Sequence, residues 1–165
     1  MLMFMSDPRP LTGEPLAIDL LNTVWVDGGV RHDLLDQPGG VAAWGHPEAD
    51  AAALRVARDA IRAALGGDPE PINAVLEHGR IGLRMDAGGR EQRSVAVDDE
   101  RWRLPWLAAH NLLELDRDRV RACAGHDCVL HFYDTSRAGK RMWCSMSGCG
   151  NRAKARRHYE RAKRG

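Results

Sequence analysis

The first 122 residues contain no cysteine, the first 139 contain no lysine, and the whole chain has only two phenylalanines and two tyrosines. With no thiol upstream, a disulfide framework through the body of the chain is excluded. No segment approaches the roughly 20 uninterrupted apolar residues of a membrane helix. The opening Met1-Leu2-Met3-Phe4-Met5 is cut by Ser6, Asp7 and Pro8 before it reaches the length of a signal-peptide core. These absences predict a cytoplasmic protein with no membrane partner. There is also no phosphate-cradling glycine loop, no nucleophile with an adjacent base and no second metal motif, so an enzyme reading has little to stand on and ranks last. With 165 residues, 44% hydrophobic and 28% charged, disorder and collagen are excluded as well.

What is present is unevenly placed. The net charge of +1 conceals two parts of opposite sign. Residues 1–116 carry eleven Arg against nineteen Asp or Glu, a balance of −8, whereas residues 117–165 carry thirteen Lys or Arg against four acids, a balance of +9. Such asymmetry points to a polyanionic partner for the basic end. All four cysteines lie in that same stretch.

Periodicity divides the remainder. Residues 1–13, with Pro8-Arg9-Pro10 and Thr12-Gly13, have no period and read as a flexible N-terminal arm. Leu16 to Val26 is an apolar run that fits either a strand or a short buried helix, followed by a turn at Asp27-Gly28-Gly29. Asp36-Gln37-Pro38 opens a short helix carrying Val41 and Trp44. From Glu48 to Leu65, Leu54, Ala57, Ile61, Ala64 and Leu65 share one helical face while Arg55, Arg58, Asp59 and Arg62 share the other. Pro71 to His78 predicts another short helix. Residues 81–85 and 94–97 predict a hairpin around Asp86-Ala87-Gly88-Gly89, and Leu104 to Leu115 a buried helix on which His110 is a core histidine.

Cys123, Cys128, Cys144 and Cys149 are spaced Cys-x4-Cys, fifteen residues, Cys-x4-Cys. Two short chelating loops separated by a segment long enough for a hairpin suit one tetrahedral zinc ion. Four thiolates close the coordination shell, which argues for a structural rather than a catalytic metal. The spacing places strands at 129–134 and 140–144, a turn at 136–139 and a helix over about 150–163. His126, His131 and Asp127 lie near enough to replace a ligand but read as bystanders. The metal also answers a size problem, because 49 residues with few large apolar side chains make a poor core.

On that terminal helix Ala155, Tyr159 and Ala162 form a narrow apolar stripe, expected to pack on the hairpin. Lys154, Arg157, Arg161 and Arg164 form a second face, with Arg152, Arg156 and Lys163 on its flank. Together with Arg137, Lys140 and Arg141 they make a candidate phosphate-binding surface.

The sequence from Trp143-Cys144 through Cys149-Gly150-Asn151-Arg152-Ala153-Lys154, preceded by Phe132-Tyr133-Asp134-Thr135-Ser136-Arg137, resembles the CGNR zinc finger that ends a family of bacterial transcriptional regulators. Leu16-Ala17-Ile18-Asp19-Leu20-Leu21-Asn22-Thr23, Asp33-Leu34-Leu35 and Trp44 resemble the ABATE domain that precedes this finger. The chain departs from the family pattern at Met142, where a second basic residue is usual, and at His131, where an apolar residue is usual. The resemblance implies the same four cysteines as zinc ligands, and a role in stress-induced regulation. Asn151 is expected to make a local hydrogen bond, and Arg152 to contact either the thiolates or a phosphate.

The expected fold is therefore α+β: an arm at 1–13, a helix-rich mixed domain at 14–116, and a small treble-clef-like zinc module of hairpin plus helix at 117–165. Asp19, Asn22, Thr23 and Trp25 are a candidate ligand pocket in the first domain. The favoured function is a regulator that binds duplex DNA, with a small-molecule effector or a homodimer as its other partners. Two alternatives stand beside it. One is a ligand-binding or protein-interaction module with zinc as a staple, and the other is RNA binding by the basic helix, with Tyr133 and Trp143 as stacking surfaces.

Overall fold

The computed structural model describes residues 7–164, with side chains through residue 163. The first six residues of the expected arm and the Arg164 side chain lie outside the described residues. The chain forms two compact units, one built on residues 35–114 and the other combining 8–34 with the described part of 115–165.

In the first unit the helices are α2 (Gly40–Ala43), α3 (Ala51–Leu65), α4 (Glu70–Leu76) and α5 (Arg103–Glu114). The predicted face of α3 is buried at Leu54, Ala57, Ile61 and Ala64. Asp50 caps the helix, its carboxylate accepting from the Ala53 amide at 2.8 Å. Arg58, placed on the polar face by periodicity, is buried instead. Trp106 of α5 donates Nε1–H to the Leu76 carbonyl at 2.9 Å and locks α5 to the end of α4. Three residues on, Gly79 leaves room for that indole, since a Cβ there would lie 2.7 Å from its ring.

Gly79 opens the antiparallel hairpin of β3 (Gly79–Met85) and β4 (Glu91–Val97), longer at both strands than the sequence predicts. Asp86 closes its turn by accepting from the amides of Gly88 and Arg90. His110 stacks on Trp106 at 5.0 Å between ring centres but is half-buried rather than a core histidine, its Nδ1 lying 3.8 Å from the Glu114 carboxylate.

In the second unit, Leu16 to Val26 is a helix followed by a strand. These are α1 (Leu16–Leu21) and β1 (Val24–Asp27), and β1 pairs with β2 (Val30–Asp33). Gly28 and Gly29 both have positive φ, 55° and 79°, which a two-residue hairpin turn of this hand requires. The turn was legible, but the returning strand was not. Farther along, β5 (Val120–Ala122) pairs antiparallel with β6 (His131–Tyr133).

The sequence places the partner of β6 at 140–144, and the structure corrects this. Asp134, buried completely, accepts from the amides of Ser136 and Arg141. That turns the chain in a loop and leaves no ladder for residues 140–144, while β5 before the first cysteine takes the open edge of β6.

The size problem of the zinc module is solved by the N-terminal segment as well as by metal. Ile18, Leu20, Leu21, Val24 and Leu34 are buried alongside Leu130 and Phe132 in this unit. Asn22, also fully buried, clamps β6 by donating Nδ2–H to the His131 carbonyl and accepting from the His131 amide, both at 2.9 Å. Glu14 accepts from the Tyr133 amide at 2.8 Å. Arg9, inside the stretch expected to be a flexible arm, donates to the carbonyl and the carboxylate of Asp19.

The last element is α6 (Asn151–Arg164), preceded by a π-helical turn at Met146–Gly150. Its expected apolar stripe does not pack on the hairpin, and Tyr159 is 62% exposed. Among the described residues no helix is long and apolar enough to cross a membrane.

Candidate metal centre

Each pair of cysteines is held by a short loop with its own backbone logic. In the first, the Cys128 amide donates to the Gly125 carbonyl at 3.1 Å, and Asp127 takes φ 63°, a conformation unusual for a residue with a side chain. Gly125 sits against the cluster, and a Cβ on it would fall 2.9 Å from Cys149 Sγ. In the second, Ser145 caps the π-helical turn by accepting from the Gly148 amide at 3.0 Å, and Cys149 leaves that turn just before α6 begins. The loops are joined by the Ala124 amide donating to the Met142 carbonyl at 2.8 Å.

The four sulfurs lie within 4.8 Å of one another. Cys128–Cys144 is 3.9 Å and Cys144–Cys149 is 3.6 Å. Zinc–sulfur bonds of about 2.3 Å in a tetrahedron put sulfurs about 3.8 Å apart, so the spacing fits.

The electrostatics make the same demand. Cys128 is drawn down to about 5 by its hydrogen bond with Cys144, while that bond and burial push Cys144 up and burial pushes Cys123 up. Sulfurs this close do not all ionise unaided, and a divalent cation is the group that permits it. Amide donors from Gly125 and Cys144 reach Cys123 Sγ at 3.4 and 3.3 Å. Arg152 Nη2 reaches Cys149 Sγ at 3.1 Å, and the thiolate in turn raises the pKa of that guanidinium. The four cysteines fit a zinc finger binding one structural zinc ion. His126 is exposed and paired with Asp127 at 2.5 Å.

The basic residues sort into two groups. Arg152 faces a sulfur, and Arg141 is committed inward, donating to the carbonyls of Trp143 and Cys144 with its guanidinium 4.3 Å from the centre of the Phe132 ring. Arg137, Lys140, Lys154, Arg156, Arg157, Arg161 and Lys163 are exposed. Asn151 donates to the Ser147 carbonyl at 3.3 Å, a local bond as expected.

Asp134 is the organising residue that sequence reasoning passed over. Its carboxyl is held below the usual range, chiefly by the Ser136 side chain. The signal available was Asp134-Thr135-Ser136, an acidic residue followed by a hydroxyl two places on, which favours such a turn.

The residues proposed as a ligand pocket do not share one. Trp25 lines a cavity of about 240 Å³ beside the cysteines. Asp19 is engaged by Arg9, Asn22 by His131, and Thr23 by the Leu20 carbonyl at 2.7 Å. These side chains are used up in building the unit. A separate cavity of about 420 Å³ lies in the 35–114 unit, with His46, Glu100, Arg103 and Leu107 among its walls.

The fold and site define a small-sheet protein with a C-terminal four-cysteine zinc finger. Residues 119–162 match the model of the CGNR zinc finger, and residues 14–124 match the ABATE model, described as a putative stress-induced transcription regulator. The second match spans more than half of the chain, and the chain belongs to the ABATE family. Neither description names an enzymatic activity. A search of curated proteins finds no match.

Proposed function

We propose that the protein is a cytoplasmic, zinc-dependent regulator that lays α6 against duplex DNA. The observation that carries this reading is the exposure of α6, whose residues from Lys154 onward stand in solvent with one acid, Glu160, among five described Lys or Arg. Such a helix suits phosphate contacts and insertion into a major groove. Lys154, Arg157 and Arg161 on one face, with Arg156 and Lys163 flanking and Arg137 and Lys140 on the preceding loop, are the contacts. Arg141 and Arg152 are removed from that set because their guanidinium groups serve Phe132 and Cys149. Zinc supplies no chemistry beyond fixing the start of α6. The 35–114 unit serves ligand sensing or dimerisation, its 420 Å³ cavity being the place for a small-molecule effector.

The test is fluorescence anisotropy of a labelled random-sequence duplex titrated with the full chain at several salt concentrations, with and without a zinc chelator. Binding that weakens steeply with salt and vanishes on chelation supports the reading. Zinc-loaded protein that binds nothing at low salt overturns it.

A further inference from the structure

Two cavities reach the cysteine cluster. One, of about 430 Å³, has Gly125, His126, Trp143 and Arg156 in its walls, and the other is the 240 Å³ cavity beside Trp25. Cys149 and Arg152 are the two residues common to both linings, Cys128 and Cys144 line the smaller cavity alone, and Cys123 lines neither. Cys149 is 3% exposed, so an oxidant reaches it through these cavities rather than from open solvent. Both spaces admit a molecule the size of hydrogen peroxide. Cys149 is also the cysteine with a guanidinium on its sulfur, and the sulfur of Cys144 is its neighbour at 3.6 Å. Access, a fixed positive charge and a second thiolate within reach are what a peroxide-reactive cysteine pair requires.

We infer that Cys149 is a modification site for small hydroperoxides and that Cys144 resolves it to a disulfide. Cys149 Sγ attacks one peroxide oxygen, so that an S–O bond forms as the O–O bond breaks. The electron pair leaves on the far oxygen, which takes a proton from water. The Arg152 guanidinium lies where that departing charge develops. Cys144 Sγ then attacks the sulfenic sulfur, the S–S bond forms, the S–O bond breaks and hydroxide leaves. Two thiolates lose two electrons and one hydroperoxide is reduced. Two of the four donors are gone at the end. The inference does not depend on DNA binding.

Trypsin separates the outcomes. Cys123 and Cys128 fall together in peptide 122–137, and Cys144 and Cys149 in peptide 142–152. Zinc-loaded full chain is treated with one equivalent of hydrogen peroxide while zinc release is followed with a chromogenic chelator. The peptides are then weighed without reduction. The expected result is zinc release in step with loss of two hydrogens from peptide 142–152, reversed by dithiothreitol. Arg152→Gln, checked first for full zinc content, slows the release about tenfold, the worth of one charge-assisted hydrogen bond at the transition state, and Arg152→Lys restores part of it.

Loss of hydrogens first from 122–137, a link between the two peptides, or zinc retained while only Met142 and Met146 gain oxygen overturns the inference. An unchanged rate in zinc-loaded Arg152→Gln removes Arg152 from it. If that variant holds no zinc, the peptide map of the unmodified chain decides alone.

Discussion

Asn22 and His131, 109 residues apart, are joined through the two arms of one amide, which gives a hydrogen bond to the His131 carbonyl and takes one from its amide. This pair of bonds ties α1 to β6 and makes residues 8–34 part of the zinc-bearing unit rather than of the helical one. Replacing Asn22 with Ala leaves both backbone groups without that partner. The variant is expected to lose about 2–4 kcal/mol, from two buried groups at about 1–2 kcal/mol each, read as a lower unfolding midpoint of the zinc-loaded chain in urea.

Chelation tests the same division. Removing zinc is expected to release the unit of 8–34 and 115–164 while that of 35–114 persists. Hydrogen exchange reads this directly: amides of β6 and Leu34 lose protection, and those of α3 and α5 keep it. Loss of protection throughout the chain would show that the helical unit depends on the metal.

Two glycines separate the units by mutation. A Cβ on Gly125 meets Cys149 Sγ and Cys128 Cβ, so Gly125→Ala is expected to weaken zinc binding by about 10–100-fold in a competition titration. A Cβ on Gly79 meets the buried Trp106 indole, so Gly79→Ala is expected to destabilise the helical unit by about 1–3 kcal/mol and leave zinc affinity unchanged.

Asp98 makes the helical unit sensitive to acid. His78 Nδ1 lies 2.9 Å from its carboxylate and holds that carboxyl below the usual range. A lowered folded-state pKa stabilises above the unfolded value, about 3.9, and the contribution is lost as pH falls through the lowered one. Asp98→Asn is expected to speed exchange in β3 and β4 at pH 7, and the difference is expected to shrink as pH falls through the lowered carboxyl pKa. Added salt should shrink it, because both groups are partly exposed.

Removing single charges from α6 tests its contact with DNA. Lys154→Ala, Arg157→Ala and Arg161→Ala are each expected to reduce the slope of log affinity against log salt by about 0.9 on duplex DNA. Arg141→Ala is expected to lower stability and leave the slope as it is, since its guanidinium rests on Phe132.

Local chemistry was readable without coordinates. The apolar face of α3, the β3–β4 hairpin around Asp86, the double-glycine turn and the four-cysteine set each depend on residues close in sequence, where periodicity, turn residues and ligand spacing act directly. Arg58 was misplaced because a helical wheel knows nothing of what packs on its polar side. The second strand at 140–144 was misplaced because the Asp134-Thr135-Ser136 turn was passed over, and because no local pattern reveals that β5 will pair ahead of the first cysteine.

The sequence by itself determined which atoms could bind metal, that helices cover the cores of α3, α4, α5 and α6, and that positive charge gathers at one end. Only the tertiary structure decided that residues 8–34 complete the zinc-bearing unit and that the apolar stripe of α6 stays in solvent. The first outcome rests on hydrogen bonds and burial between residues far apart in the chain, such as Asn22 with His131 and Glu14 with Tyr133, and the second on the exposure that tertiary packing leaves to Tyr159. Such partners carry no mark in sequence, because any buried backbone group will accept whichever side chain the fold delivers to it.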